Sequence, residues 1–576
     1  LRQNIVDRLH LNRVPVHAQF AGRGAKFARL WRRAGARTGV SMAEYSHPGV
    51  YIEELPGASA IAPVSTSNTA FVGRTEQGNA NEPVLITSWN AFFQAFGGFS
   101  WGAQLPFAVY AFFAQGGSVC TVVSGAAAGE TIASADLAPL TVSAATPGDW
   151  GNSLSLQICN DPTAQPSDPA TPVFSLTILY RLPEAGATPT LDQRRAQDCA
   201  ARNEIEPVTI DDVRYYPMEH YPGVTAADLA KDTGQGARIE QRINGSSLFV
   251  RISVAPGTSA TRPGNGLWPL SGGTAGSAPL DLGAALAAFD AVDNISLLVA
   301  PDVAMIEDVG AQRASAAQIL AYCENRPHRD LFAILDTPFG MTVPDAVAYK
   351  TGGAVGGTDA GAALHSSCGA IYYPWIEVFD PVATKCLLVP PSGAMAGTYA
   401  ATDQAVGPWQ SPAGVIHGAL NIATGVATAV TDSDQDMLNP NGVNAIRLIA
   451  NYGILSYGAR TLTSDPDYIY VAVRRTLIFI ENSLQSGLQW VALDPDSPAL
   501  RGMVMRDVSA FLTGLWQQGA LFGSTAAEAF WVQCDAANNP PEVREEGVLY
   551  VDVGVAPTYP AEFVIIRIQQ ATLSAG

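Results

Sequence analysis

Two aspartates have the placement that chemistry would need. Asp302 and Asp336 each end an apolar run that reads as a strand, "NISLLVAPD" and "LFAILD", and the carboxyl ends of strands are where open α/β sheets hold ligands and metals. An Asp there is more commonly a turn or helix cap. "HSSC" gives His365 and Cys368 a metal-like spacing without a second pair, which points to a core or loop position. "DSDQD" puts Asp432, Asp434 and Asp436 as in the start of a calcium loop, yet Met437 stands where Gly is needed and Val443 where the distal Glu would be. A solvated acidic turn is the expectation, with a loosely held cation as the lesser alternative.

Nucleotide and nucleophile motifs are missing. No G-x-x-x-x-G-K-[ST] occurs, and only Lys26, Lys231, Lys350 and Lys385 could supply its lysine. "GGAVGG" at 352–357 lacks a strand before and a helix after it, so a flexible loop is expected. G-x-S-x-G is absent, and "KTG" at 350–352 has no S-x-x-K partner. Seven scattered cysteines without a C-x-x-C indicate neither a disulfide framework nor a zinc knuckle, and reduced, mostly buried thiols are expected. No nucleophile, base and oxyanion site assembles, so the sequence predicts no catalytic residue, no cofactor and no metal.

The elements that would carry these residues are readable from periodicity. "TAFVG", a helical "PFAVYAFFAQGG" and "SVCTVVS" form a strand–helix–strand unit, and strands alternate with helices again from Leu280. This predicts an open, largely parallel α/β sheet flanked by helices. "CGAIYYPWIEV" reads as one strand, and "KCLLVPP" leads into "PPSGAMAGTYAATDQAVGPWQSPAG" at 390–414, a nearly uncharged run of small residues. Small residues serve either a phosphate-cradling loop or close backbone packing. Residues 126–280 change to β-like runs between Ala/Thr/Ser/Pro-rich loops, with little helical periodicity, and read as an inserted β-rich domain. After Asn451 a closing module holds a clear helix, begun by Ser497 and Pro498, with Leu500, Val504, Val508, Phe511, Leu512 and Leu515 on one face and Gly519 at its end.

At 576 residues with 47% apolar content, the chain suits two to four domains. The divisions expected are 1–41, a basic extension; 42–65, an arm; 66–125, the first part of the core; 126–280, the insertion; 281–450, the α/β domain; and 451–576, the closing module. Residues 1–41 hold nine Arg/Lys against Asp7 alone, whereas the remainder holds 24 basic and 51 acidic residues. The acidic body argues against a nucleic-acid partner. Because ordered-looking sequence starts abruptly at Met42, the basic head reads as upstream sequence from a start placed too early. No stretch suits a bilayer span and the head has no signal-peptide core, so no membrane insertion and a cytoplasmic location are expected.

Both termini look extended. Val50, Tyr51, Ile52 and Glu53 lie in "VYIEEL", fenced off by Pro48, Gly49, Pro56 and Gly57. Near the other end Val564, Ile566 and Ile568 alternate with Phe563, Ile565 and Arg567. Such strands either pair within their own subunit or leave it to extend a neighbour's sheet edge.

In order along the chain, "SHPGVYIEELPG", "PGDWGNSLSLQI", the 390–414 run, "LNPNGVNAIR", "GARTL" and "GLWQQGALFGSTAAEAFWVQCD" resemble the tail sheath protein of contractile bacteriophages and related particles. The resemblance covers 42–570 and is weakest in 126–280, where "LSGGTAG" has Ala275 at a position at which the family often has Asp. It implies a non-enzymatic subunit that polymerises as stacked six-subunit rings around an inner tube, with baseplate and terminator proteins at the ends, assembled in the bacterial cytoplasm. It also implies that the two terminal strands hook into neighbours and that the 390–414 run serves packing near the tube. With no NTPase motif, contraction would draw on energy stored at assembly, with 464–468 and 556–560 as hinge and linker positions. A non-contracting capsid or tail protein and an α/β hydrolase are the alternatives.

Overall fold

Eight strands build the main sheet of the computed structural model, in the order Gly453–Ser456, Val443–Ile449, Gly369–Tyr373, Phe332–Asp336, Leu297–Val299, Thr69–Gly73, Cys120–Ser124 and Pro83–Ile86. The inner pairings are parallel and the two edge pairings antiparallel. Helices cover both faces, so strands such as Thr69–Gly73 and Gly369–Tyr373 are buried throughout and their sequences run apolar without alternation. The structure describes residues 61–125, 129–161, 173–184, 186–231, 237–255, 262–275, 280–327, 329–357, 360–563 and 565. The described residues belong to one compact unit.

Between the third and fourth strands in chain order, two antiparallel sheets intervene. One has the order Val250–Val254, Leu140–Ala144, Ser134–Leu137. The other runs Gly266–Pro269, Leu154–Asn160, Phe174–Arg181, Val213–Val224, Val208–Ile210. Their apolar faces share a hydrophobic core with the main sheet: Phe71, Trp101, Tyr180 and Phe249 belong to one cluster, and Trp101 stacks on Phe249 at 4.9 Å. This region also contains a helix that apolar periodicity does not disclose, Leu191–Arg202. Its signal is local: Thr190 accepts from Gln193 N while the Gln193 side chain accepts from Thr190 N, a capping box spelled "TLDQ".

Two further sequence expectations are corrected. "CGAIYYPWIEV" is two strands in two sheets, Gly369–Tyr373 in the main sheet and Ile376–Asp380 in a three-stranded sheet with Lys385–Val389 and Ala423–Val426. Pro374 sits at the break, where its missing N–H cannot serve a ladder. "DSDQD" is not a loose acidic turn but the first turn of the helix Asp432–Leu438. Asp434 accepts from Thr431 N at 2.9 Å and Thr431 Oγ1 at 2.7 Å, and negative charge is favoured at a helix N-terminus.

The closing module packs around a separate hydrophobic cluster. Ser497 Oγ accepts from Leu500 N at 3.1 Å and starts the helix Pro498–Gln517, whose buried face includes Leu500, Val504, Val508, Leu512 and Leu515. Phe511 is only partly buried, and Gly519 follows at φ 83°. Beside it lie the helix Val471–Gly487 and a two-stranded sheet of Phe530–Gln533 with Asp552–Val555.

Candidate assembly site

The small-residue run at 390–414 contains a helix, Ser392–Ala405, buried along its first nine residues and at Thr402. It lies against the helix Leu105–Ala114 at backbone distance. A Cβ on Gly393 would stand 2.3 Å from Ala108 Cα and 2.4 Å from its carbonyl oxygen, and one on Gly397 would stand 2.5 Å from the Phe112 carbonyl oxygen. Residues i and i+4 share a helix face, so the Gly-x-x-x-Gly spacing opens one groove for the partner helix. On the other side Tyr399 meets Tyr372 of the main sheet, hydroxyl to hydroxyl at 2.8 Å. The run is therefore a packing element and leaves no phosphate cradle.

Asp302 and Asp336 seat these two helices. Asp302 accepts from Gln104 N at 2.7 Å and Leu105 N at 3.3 Å, capping the Leu105–Ala114 helix, and from Arg74 N at 2.8 Å. Asp336 accepts from both the backbone N–H (2.8 Å) and the hydroxyl of Ser392, the first residue of the other helix. At the carboxyl ends of the neighbouring strands Leu297–Val299 and Phe332–Asp336, an Asp thus caps each helix N-terminus. Their carboxylate oxygens are occupied by caps, as the capping reading expects.

Burial pushes the Asp336 carboxyl up to about 7, against the opposing effect of the two Ser392 hydrogen bonds. A raised folded-state value means the native state holds its proton more tightly than the unfolded chain does. The contribution is then fully present below the ordinary Asp range and is lost as pH rises toward 7. Asp336→Asn should consequently gain in melting temperature relative to the parent as pH goes from 5 to 7, and hold a constant difference above that. Calorimetry across pH 5–8 checks this, and parallel pH profiles would refute it.

Beyond the caps, Asp403 near the end of the Ser392–Ala405 helix, the inner helix, forms a bidentate pair with Arg475 of the Val471–Gly487 helix, at 2.9 and 2.6 Å. Both side chains are almost wholly buried. Arg475 also donates to the Thr66 carbonyl at 2.9 Å and lies over the Tyr399 ring at 4.8 Å. One cation thus joins the chain entering the first strand, the inner helix and the closing module.

The remaining candidates have partners within the fold. His365 Nε2 lies 3.3 Å from Thr463 Oγ1, and Cys368 is buried beneath Arg474. Among the described residues no group of His, Cys, Asp or Glu is arranged to hold a metal ion, and no helix is long and apolar enough to cross a membrane. All seven cysteines are free; Cys159 is exposed and Cys386 half-buried. Burial pushes Cys199 up to about 12, so it is a thiol rather than a nucleophile. In "GGAVGG", Gly352 closes the helix Val343–Thr351 in a left-handed conformation.

"PGDWGN" and "LSGGTAG" come together in space. Asn152 donates to the Gly273 carbonyl at 2.8 Å and accepts from Gly273 N at 2.9 Å, so one amide reads both backbone groups of the turn. A Cβ on Gly273 would stand 2.3 Å from the Gly148 carbonyl. The turn is held without a carboxylate at Ala275.

Of the terminal-strand residues, Val50, Tyr51, Ile52, Glu53, Val564, Ile566, Arg567 and Ile568 lie outside the described residues. Phe563 and Ile565 are described and exposed, 73% and 77%. On the N-terminal side, Ile61 is buried against Gly487 and Val64 N donates to Ser483 Oγ at 3.2 Å. On the C-terminal side, residues 556–558 are bonded to the body: Phe522 N donates to the Ala556 carbonyl at 2.8 Å and Thr558 N to that of Ala520 at 3.2 Å. Two tethers therefore meet the closing module: the N-terminal one at the Gly487 end of its first helix, and the C-terminal one on Ala520 and Phe522, with Tyr559 packed against Tyr470 at that helix's other end. Seventeen residues at 1.5 Å each separate these ends by about 25 Å. In the same module the two-stranded sheet pairs with no third strand among the described residues, and Trp531 lies exposed over Gly554.

The strand-end aspartates thus serve as helix caps, and the small-residue run serves as a packing face. The chain belongs to the phage tail sheath protein family: the central domain of phage tail sheath proteins matches residues 275–462 and their C-terminal domain matches 463–571, together more than half of the chain. The tail sheath protein of Vibrio phage KVP40 is 25% identical over 190 residues, 33% of this chain and 27% of that protein. That of Escherichia phage P2 is 24% identical over 203 residues, 34% of this chain and 48% of that protein. The matched stretch thus spans between about a quarter and a half of these relatives. Among solved structures, the sheath complex of the extracellular contractile injection system PVC in its contracted state superposes with a TM-score of 0.53 at 20% identity, over 91% of this chain and 98% of that one. The helical sheath of the anti-feeding prophage, also contracted, gives 0.51 at 22% identity, over 91% and 99%. The fold is that of these sheath subunits over nearly its whole length.

Proposed function

We propose that the protein is the repeating subunit of a contractile tail sheath, which polymerises around an inner tube in the bacterial cytoplasm and shortens to drive that tube through a target envelope. Other copies of the chain, the tube protein and the baseplate are its partners. One observation carries the reading at the level of geometry. The two-stranded sheet of the closing module pairs with no third strand among the described residues, and it lies in the module to which the chain is bonded at Val64 and again at 556–558. A strand from a neighbour added to an edge of that sheet gains main-chain hydrogen bonds worth about 0.5–1.5 kcal/mol each. Repeated around rings and along a helix, these weak links hold subunits together while their bodies repack as rigid units.

In this reading the added strands are the segments with Val50, Tyr51, Ile52 and Glu53 and with Phe563, Val564, Ile565, Ile566, Arg567 and Ile568. Negative-stain electron microscopy of the concentrated full chain tests the function, with hollow tubes of helical surface as the expected result. Val50→Pro with Ile52→Pro tests the arm: proline removes ladder N–H groups, so tubes should disappear while the melting temperature of the unassembled chain stays unchanged. Normal tubes from that variant would refute the strand-adding role.

A further inference from the structure

Three residues separated along the chain meet at one carboxylate. Glu562 accepts from Arg460 Nε at 2.9 Å and Nη2 at 2.6 Å, from Asn439 Nδ2 at 2.7 Å and from Tyr470 OH at 3.2 Å. Asn439 belongs to "LNPNGVNAIR" and Arg460 to "GARTL". Arg460 is itself fixed from behind. Its N–H donates to Asn444 Oδ1 at 2.7 Å and its carbonyl accepts from Asn444 Nδ2 at 2.8 Å. Asn444, fully buried, also donates to the Ile371 carbonyl of the central strand Gly369–Tyr373 at 3.1 Å. A Cβ on Gly458 would stand 2.9 Å from Asn444 Oδ1, so the approach of this loop to the sheet needs glycine there.

The position of Glu562 gives the cluster its meaning. Just before it, Tyr559 packs edge-on against Tyr470 at 6.1 Å. Immediately after it, Phe563 and Ile565 are exposed. A cleft of about 500 Å³, walled by Trp409, Tyr457, Tyr470 and Tyr559, lies alongside. A surface linker needs no four-donor carboxylate, whereas a strand that must leave the body in one direction and bear load does. We propose that Glu562 is a positioning residue: a clamp that fixes where the C-terminal strand departs and couples that strand, through Arg460 and Asn444, to the main sheet.

The inference rests on the sheath reading, under which this strand joins a neighbour. A bidentate guanidinium–carboxylate pair supplies the direction as well as the energy, because its two parallel bonds tolerate little rotation. Burial alone would raise the Glu562 carboxyl, but the hydrogen bonds from Arg460 and Asn439 and the Arg460 charge outweigh it and hold it below the usual glutamate range. The clamp is closed at neutral pH.

The test uses the full chain, its Glu562→Ala variant and the reciprocal exchange Glu562→Arg with Arg460→Glu. Hydrogen–deuterium exchange of amides at 556–565, measured on unassembled chain, reads the clamp directly. Tube yield by sedimentation and electron microscopy reads its consequence. In Glu562→Ala, exchange at 556–565 should rise about tenfold, equivalent to about 1.4 kcal/mol of lost local protection, with the melting temperature of the body unchanged. Tube yield should fall about tenfold, and the reciprocal exchange should restore part of both. Unchanged exchange in Glu562→Ala would overturn the clamp. Raised exchange with full tube yield would overturn its role in assembly. If the parent chain makes no tubes, the sheath reading fails, while the exchange result still decides the clamp.

Discussion

Gly393→Ala is expected to cost about 3 kcal/mol or more of stability, although it adds a single methyl group and replaces a poor helix former with the best one. The new Cβ would stand 2.3 Å from Ala108 Cα and 2.4 Å from the Ala108 carbonyl oxygen, both backbone atoms of another helix. No rotamer change relieves such an overlap. The helices must separate, and with them the Asp302 and Asp336 caps that seat both N-termini on the sheet. Gly502→Ala is the matched comparison: it lies within the helix Pro498–Gln517 with nothing within 4 Å of its would-be Cβ. There the same methyl should stabilise by about 0.4–1 kcal/mol, since only the helix propensity and the unfolded-chain entropy change. Urea melts of the two variants, followed by far-UV circular dichroism and by tryptophan fluorescence, should move in opposite directions. Equal shifts would mean that the Ser392–Ala405 helix is not in backbone contact.

Asp403→Ala should cost about 3–5 kcal/mol, because it leaves the buried Arg475 guanidinium without its carboxylate. Arg475 would retain the Thr66 carbonyl and the Tyr399 ring, neither of which carries a compensating charge. The informative partner is the double variant Asp403→Leu with Arg475→Met, which removes both charges and keeps apolar volume. Buried ion pairs replaced as a unit by well-packed apolar groups are often neutral, so the double variant should recover most of the loss. A double-mutant cycle by denaturant melts measures the coupling, and additive single losses would show that the pair does not act as one. The same cycle bears on assembly. Asp403 lies on the Ser392–Ala405 helix and Arg475 on the Val471–Gly487 helix, which holds the N-terminal tether at Ile61 and Val64, so destabilising the pair loosens the closing module from the main sheet.

Short-range signals carried much of the fold into the sequence. The parallel sheet was legible because strands buried on both faces run apolar without interruption, as in "TAFVG" and "LFAILD". The helix after Ser497 was legible because an N-cap, a proline at the first turn and a 3.6-residue apolar face agree. Misses occurred where a short polar signal competed with a weak apolar one. The Leu191–Arg202 and Asp432–Leu438 helices announce themselves through capping boxes, "TLDQ" and "TDSD", rather than through periodicity. "CGAIYYPWIEV" looked continuous because both halves are apolar, and only Pro374 marked the change of sheet.

The sequence by itself determined which residue types were available: glycine at i and i+4 in an uncharged run, aspartates at strand ends, a set of motifs in family order, and no assembled nucleophile or phosphate site. Tertiary structure alone decided what those residues meet. That Gly393 faces Ala108, that Asp302 and Asp336 cap the two helices so joined, and that Asn439, Arg460 and Glu562 converge just before the exposed Phe563 are contacts across tens to hundreds of residues. Local propensity acts over a few residues, whereas hydrogen bonds and van der Waals contact require atoms within a few ångströms of each other. Only the packed sheet and its helices bring such distant positions that close.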